Sequence, residues 1–135
     1  MHFLKSNLVG REGSLATIHE QFKPLNFFLG GEWDYEHGFF DKVLDELGEV
    51  FLRIPFKVTH GEFDADSNQL GILIRIGEPF VLHHQFQRGQ DQSAKIRVVG
   101  ALLDQFQAPV DADAPIDSTY IQKAEGILVQ LSNLF

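Results

Sequence analysis

No cysteine occurs among the 135 residues, which excludes disulfides, thiolate nucleophiles, zinc ribbons and iron–sulfur clusters. That absence fits a reducing compartment. Long apolar runs are lacking too. The opening MHFLKSNLVGREG contains none of signal-peptide length, and no stretch is long enough to span a membrane. The expected location is therefore cytoplasmic. Basic residues are few, 11 Lys and Arg against 19 Asp and Glu, so the net charge is −8. They are scattered singly, from Lys5 and Arg11 to Lys95, Arg97 and Lys123. Without a basic cluster to neutralise phosphates, neither nucleic acid nor an anionic membrane is an expected partner.

Catalytic and ligand motifs are missing or broken. There is no G-x-S-x-G elbow and no H-E-x-x-H helix. Gly10 to Ser14 precedes a helix, but it lacks the Walker lysine and sets Glu12 where an anion would sit. Asp64, Asp66 and Asn68 imitate the start of a calcium loop. Gln69 then replaces the turn glycine, and Arg75 replaces the bidentate glutamate. No metal and no cofactor is implied.

What the chain does contain is a 44% hydrophobic share, with 13 phenylalanines against two tyrosines and one tryptophan. Its length and composition are those of one folded domain, residues 1–135, able to bury a core without staples. Ser14 is a fitting N-cap for a helix to Lys23, with Leu15, Ile18 and Phe22 on one side and Pro24 ending it. Trp33 to Val58 reads as an aromatic-rich hairpin turning at Asp45 to Glu49. Trp33, Tyr35, His37, Phe39 and Val43 share one parity; Phe40, Lys42 and Leu44 share the other. Val50, Leu52, Ile54, Phe56 and Val58 form the apolar row of the return strand. A two- or four-residue loop would set that row beside the His37 row, the register that burial favours. Asp41 is then the one misfit, and Pro55 predicts an edge strand or a bulge.

Leu70 to Ile76 alternates as a third strand, Gly77-Glu78-Pro79 reads as a turn, and Phe80 to Gln87 as a fourth strand. Extended structure is expected to continue, less regularly, through Ala94 to Val99. Pro109 to Asp117 reads as an acidic loop, before a last helix capped at Asp117 or Ser118. The fold class is α+β: an antiparallel sheet of about four to six strands, with an N-terminal and a C-terminal helix packed on one face.

The segments WDYE at Trp33 to Glu36, FLRIP at Phe51 to Pro55 and EPFVLHHQFQRG at Glu78 to Gly89 resemble the YugN-like family, small bacterial proteins of uncharacterised function. Order and spacing agree from the first helix to the last. In the family pattern KHYYPHG, His84 and Gly89 match, whereas His83, Gln85, Gln87 and Arg88 depart, Arg88 standing in place of the second histidine. The resemblance implies a fold and no activity.

Two readings of function follow. In the first, Phe40, Leu44 and Phe51 form an apolar strip on the outer face of the hairpin. Such strips mark interfaces, so the chain works by association, as a homodimer or with another protein. In the second, His37, His84 and His60, with Tyr35 and Trp33, line a pocket between sheet and helices that takes a small ligand or supports modest chemistry. His83 and His84 are adjacent on a strand and point to opposite faces, so they cannot chelate one metal together.

Overall fold

A computed structural model describes residues 1–30, 36–61, 71–86, 109–111 and 115–134. The element order begins with β1 (His2–Phe3), β2 (Glu12–Ser14), α1 (Leu15–Phe22) and a 3-10 turn at Lys23–Leu25. There follow β3 (Phe28–Leu29), β4 (His37–Val43), β5 (Val50–His60), β6 (Leu73–Ile76), β7 (Phe80–His83) and β8 (Gln85–Phe86). It ends with β9 (Pro109–Asp111) and α2 (Ser118–Ser132). Seven strands form one antiparallel sheet, ordered β1-β7-β5-β4-β3, with β6 beside β5 and β2 beside β6. β8 and β9 pair separately, so Pro109 to Asp111, expected as loop, is a short strand.

α1 starts where Ser14 caps it, its side chain accepting from the Thr17 N–H. Leu15, Ile18 and Phe22 are buried, the stripe that the spacing predicts. α2 begins at Asp117, whose Oδ1 accepts from the Thr119 N–H at 2.8 Å. That bond holds the Asp117 carboxyl below its ordinary range. Ala124, Ile127, Leu128 and Leu131 of α2 enter the same apolar cluster as the buried side of α1.

β5 is the longest strand and lies inside the sheet, not at an edge. Pro55 is accommodated by breaking its neighbour. β6 and β7 both run antiparallel to β5 along the same edge, β7 opposite Val50 to Arg53 and β6 opposite Phe56 to His60. Gly77 to Pro79, expected as a turn, is therefore a jog between two strands that lie along the same side of β5. The amide and carbonyl of one strand residue point the same way, and the Pro55 carbonyl accepts from Gly77 N–H at 2.8 Å. The donor that proline lacks thus faces the jog, where no ladder bond is required.

The hairpin register also corrects the expectation from alternation. Phe40 lies opposite Ile54, Asp41 opposite Arg53 and Val43 opposite Phe51. Leu44 N–H donates to the Val50 carbonyl, which leaves a turn of five residues, Asp45 to Glu49. An odd loop pairs like parities, so Gly38, Phe40 and Lys42 join Leu52, Ile54 and Phe56 on the core face. Asp45 builds this turn by accepting from the N–H groups of Glu49 and Val50, both at 2.9 Å. Gly48 supplies a φ of 74°. Phe40 and Leu44 are consequently core residues, 0% and 3% exposed, not an outer strip.

Candidate functional site

The odd row of β4 and β5 forms the second face of the sheet, and its centre holds an ion pair. Arg53 Nε and Nη2 donate to the two carboxylate oxygens of Asp41, each at 2.9 Å. The Arg53 guanidinium carbon lies 3.8 Å from the centroid of the Phe39 ring, a cation–π contact worth about 0.5–2 kcal/mol. Gly30 donates its N–H to the Phe39 carbonyl, and a Cβ there would overlap the ring, so only glycine lets Phe39 lie where Arg53 covers it.

Asp41 is buried while the Arg53 side chain keeps 26% of its exposure. Burial pushes the Asp41 carboxyl up from its ordinary value of 3.8. The hydrogen bonds and charge of Arg53, and the charge of His84, pull it down without cancelling that effect. The folded protein therefore holds this proton more tightly than the unfolded chain. Stability contributed here is greatest below the ordinary carboxylate value and declines as pH rises through the raised folded value. Unfolding of wild type and Asp41→Asn across about pH 3–7 checks this. The wild-type advantage is expected to shrink as pH rises, and a constant gap would count against burial as the dominant cause.

A row of residues crosses five strands through this pair. Phe28 of β3 lies opposite Asp41, Arg53 opposite Phe80 of β7, and Phe80 opposite Phe3 of β1. The Phe3 and Phe80 rings are 5.2 Å apart. Phe28 and Phe3, at the two ends, are 46% and 52% exposed. Leu82, opposite Phe51, is 3% exposed on this same face, outside the main core cluster.

The histidines expected to line a pocket do not share one place. His37 lies opposite Lys57 near the far end of β5. His84 lies at the turn end, its N–H donating to the Glu49 carbonyl and its ring meeting Phe51 edge-on at 6.3 Å. Eight residues of β5 separate those two levels, about 26 Å. By parity, both belong to the second face and not to the core side. His60 is exposed at the end of β5, beyond a bulge that shifts the register. Trp33 and Tyr35 lie outside the described residues, as do Asp64, Asp66, Asn68 and Ala94 to Val99. Among the described residues no group of three or more His, Asp or Glu is placed to hold a metal ion.

His83 points the other way from His84 and closes the turn end of the core side. Its Nδ1 lies 2.8 Å from the Pro115 carbonyl, and its Nε2 lies 3.5 Å from the buried Glu49 carboxylate. A carbonyl only accepts, so Nδ1 carries a proton in this arrangement. A separate cleft of about 350 Å³ lies between Lys5 to Asn7 and the last turn of α2, lined there by Leu128, Val129, Ser132 and Asn133. No histidine lines it. Reasoning from alternation missed the Asp41–Arg53 pair because it took the loop as even. The signal was present in Asp41 itself, a carboxylate in an apolar row with an arginine at the matching position of the return strand.

No helix among the described residues is long and apolar enough to cross a membrane. The YugN-like family model matches residues 3–135. An uncharacterised YugN protein of Bacillus subtilis (strain 168) is 33% identical over 132 residues, covering 97% of this chain and 96% of its own. The crystal structure of the uncharacterised conserved protein YugN from Geobacillus kaustophilus HTA426 superposes with a TM-score of 0.69 at 17% identity. It covers 98% of this chain and 93% of that one, a likeness of fold. With the family match spanning almost its whole length, this chain belongs to the YugN-like family, whose members named here have no assigned function.

Proposed function

We propose that this chain is a single non-catalytic cytosolic domain that acts by association, and that its contact surface is the sheet face turned away from the helices. The observation that carries the reading is the pair of half-exposed phenylalanines, Phe3 and Phe28, at opposite ends of one row. Exposed aromatics lose little entropy on docking and are characteristic of interface cores. Val43, 39% exposed on the same face, extends the apolar area. Both helices bury their apolar sides in the cluster that holds Phe40, Leu52 and Ile54, which supports their packing together on the opposite face. A ligand pocket lined by His37, His60 and His84 has less support, given their separation along β5.

Sedimentation of the purified protein tests the reading. Wild type is expected to run as a dimer at micromolar concentration, and a variant carrying Phe3→Ser and Phe28→Ser as a folded monomer. A wild-type monomer, or a dimer indifferent to both substitutions, would sink it.

A further inference from the structure

Two lysines from distant parts of the chain bring their ammonium groups to one rim of the core side. Lys42 stands on the core face of β4, two positions before the buried Leu44. Its Nζ donates to the Leu25 carbonyl at 2.8 Å, in the 3-10 turn that follows α1. Lys123 reaches in from α2, its Nζ donating to the Leu44 carbonyl at 3.1 Å. Positions 42 and 44 are about 7 Å apart along an extended chain. The two cations are therefore neighbours, and the charge of Lys123 bears on Lys42. The carboxylates close to them in sequence are turned elsewhere. Asp41 is bonded to Arg53 on the opposite face, and Asp45 accepts from the amides of its own turn. Glu125 is two residues from Lys123 on α2, a spacing that does not share a helix face. Among the described residues no carboxylate forms an ion pair with either lysine.

We propose that Lys42 and Lys123 form the binding site of a phosphate group, free or carried on a small organic ester. Like charges held side by side repel, and in a chain of net charge −8 this pair is left for an outside anion to neutralise. Each ammonium has three donors and uses one on a carbonyl, so donors remain on both. Phosphate offers a tetrahedral set of acceptors and, near neutral pH, about two negative charges, which match both cations at once. Lysine binds phosphate in this way, as a point charge, without the planar fork of arginine. The two carbonyl bonds fix the ammonium groups before a ligand arrives, which lowers the ordering cost of binding. Two cations are too few to track a nucleic-acid backbone, so the ligand is small. Burial, and then the charge of Lys123, draws the Lys42 ammonium below its ordinary value of 10.5. A bound dianion favours the charged form and opposes that shift. The site lies on the core side of the sheet, away from the face assigned to association, and stands whether or not the chain dimerises.

Titration at constant ionic strength, followed by the NMR signals of the lysine ε-carbons, tests the site. Inorganic phosphate is expected to bind saturably, with a dissociation constant of about 1 mM or lower. The signals of Lys42 and Lys123 should move, and those of Lys5 and Lys57 should stay in place. Lys42→Gln and Lys123→Gln, each confirmed as folded by circular dichroism, are each expected to weaken binding at least about tenfold, and together to abolish it. The pH titration of Lys42 is expected to move upward when phosphate is bound. Glycerol phosphate separates the two sources of the group. Tighter binding of the ester assigns the site to phosphorylated organic molecules, and tighter or equal binding of inorganic phosphate assigns it to the free anion. No saturable shift with either probe, or binding that survives both substitutions, would overturn the proposal.

Discussion

Replacing Arg53 by alanine is expected to destabilise the fold by about 3–5 kcal/mol at neutral pH, the usual result of stranding one member of a buried ion pair. Asp41 is the buried member, at 4% exposure, and Arg53 supplies both of the 2.9 Å bonds described for its carboxylate. The same substitution uncovers the Phe39 ring, over which the guanidinium lies at 3.8 Å. Arg53→Lys should recover only part of the loss, because an ammonium cannot engage two carboxylate oxygens in the planar fork that arginine provides. Two controls separate the causes. The loss in Arg53→Ala is expected to narrow as pH falls, since a protonated Asp41 is far cheaper to leave buried than a charged one. Replacing the pair together, Asp41→Leu with Arg53→Met, is expected to come close to wild-type stability. Urea denaturation measures all four. Equal losses for Arg53→Ala and for the double variant would mean that the ion pair is incidental to the packing around it.

The elements that were legible in the sequence are those whose period decides between burial and exposure. α1 shows Leu15, Ile18 and Phe22 between a serine cap and Pro24, and α2 follows Asp117 with its stripe from Ala124 to Leu131. β5 and β6 alternate so strictly that their core rows could be read directly. β4 could not be read in that way. Its two rows are almost equally apolar, His37, Phe39 and Val43 against Phe40 and Leu44, so composition does not choose between them. The choice is made by the turn, where Asp45 collects two amide protons and Gly48 takes a positive φ, giving five loop residues instead of four. β1, β2 and β3 hold two or three residues each, too few to show any period. The candidate site inherits the same logic. With an even loop Asp41 is a misfit in the core, and with an odd loop it becomes the partner of Arg53.

Phe40→Ala against Phe39→Ala tests that register, and the two neighbours are expected to differ widely. Phe40 is fully buried, with its ring centroid 5.0 Å from Phe22, 5.1 Å from Phe56 and 5.9 Å from the imidazole of His19. Truncating it removes the ring that joins α1 to the centre of the sheet, leaving a cavity where three other rings converge. The expected cost is about 3–5 kcal/mol. Phe39 is only partly buried on the opposite face, where its ring lies beneath Arg53 and over Gly30. Its truncation should cost about 1–2 kcal/mol, chiefly the cation–π contact and some apolar area. Chemical denaturation of the two variants gives the order directly. If Phe39→Ala were the more damaging, the His37 row would face the core as plain alternation suggests. Asp41 would then stand among apolar side chains without the arginine that makes its burial tolerable.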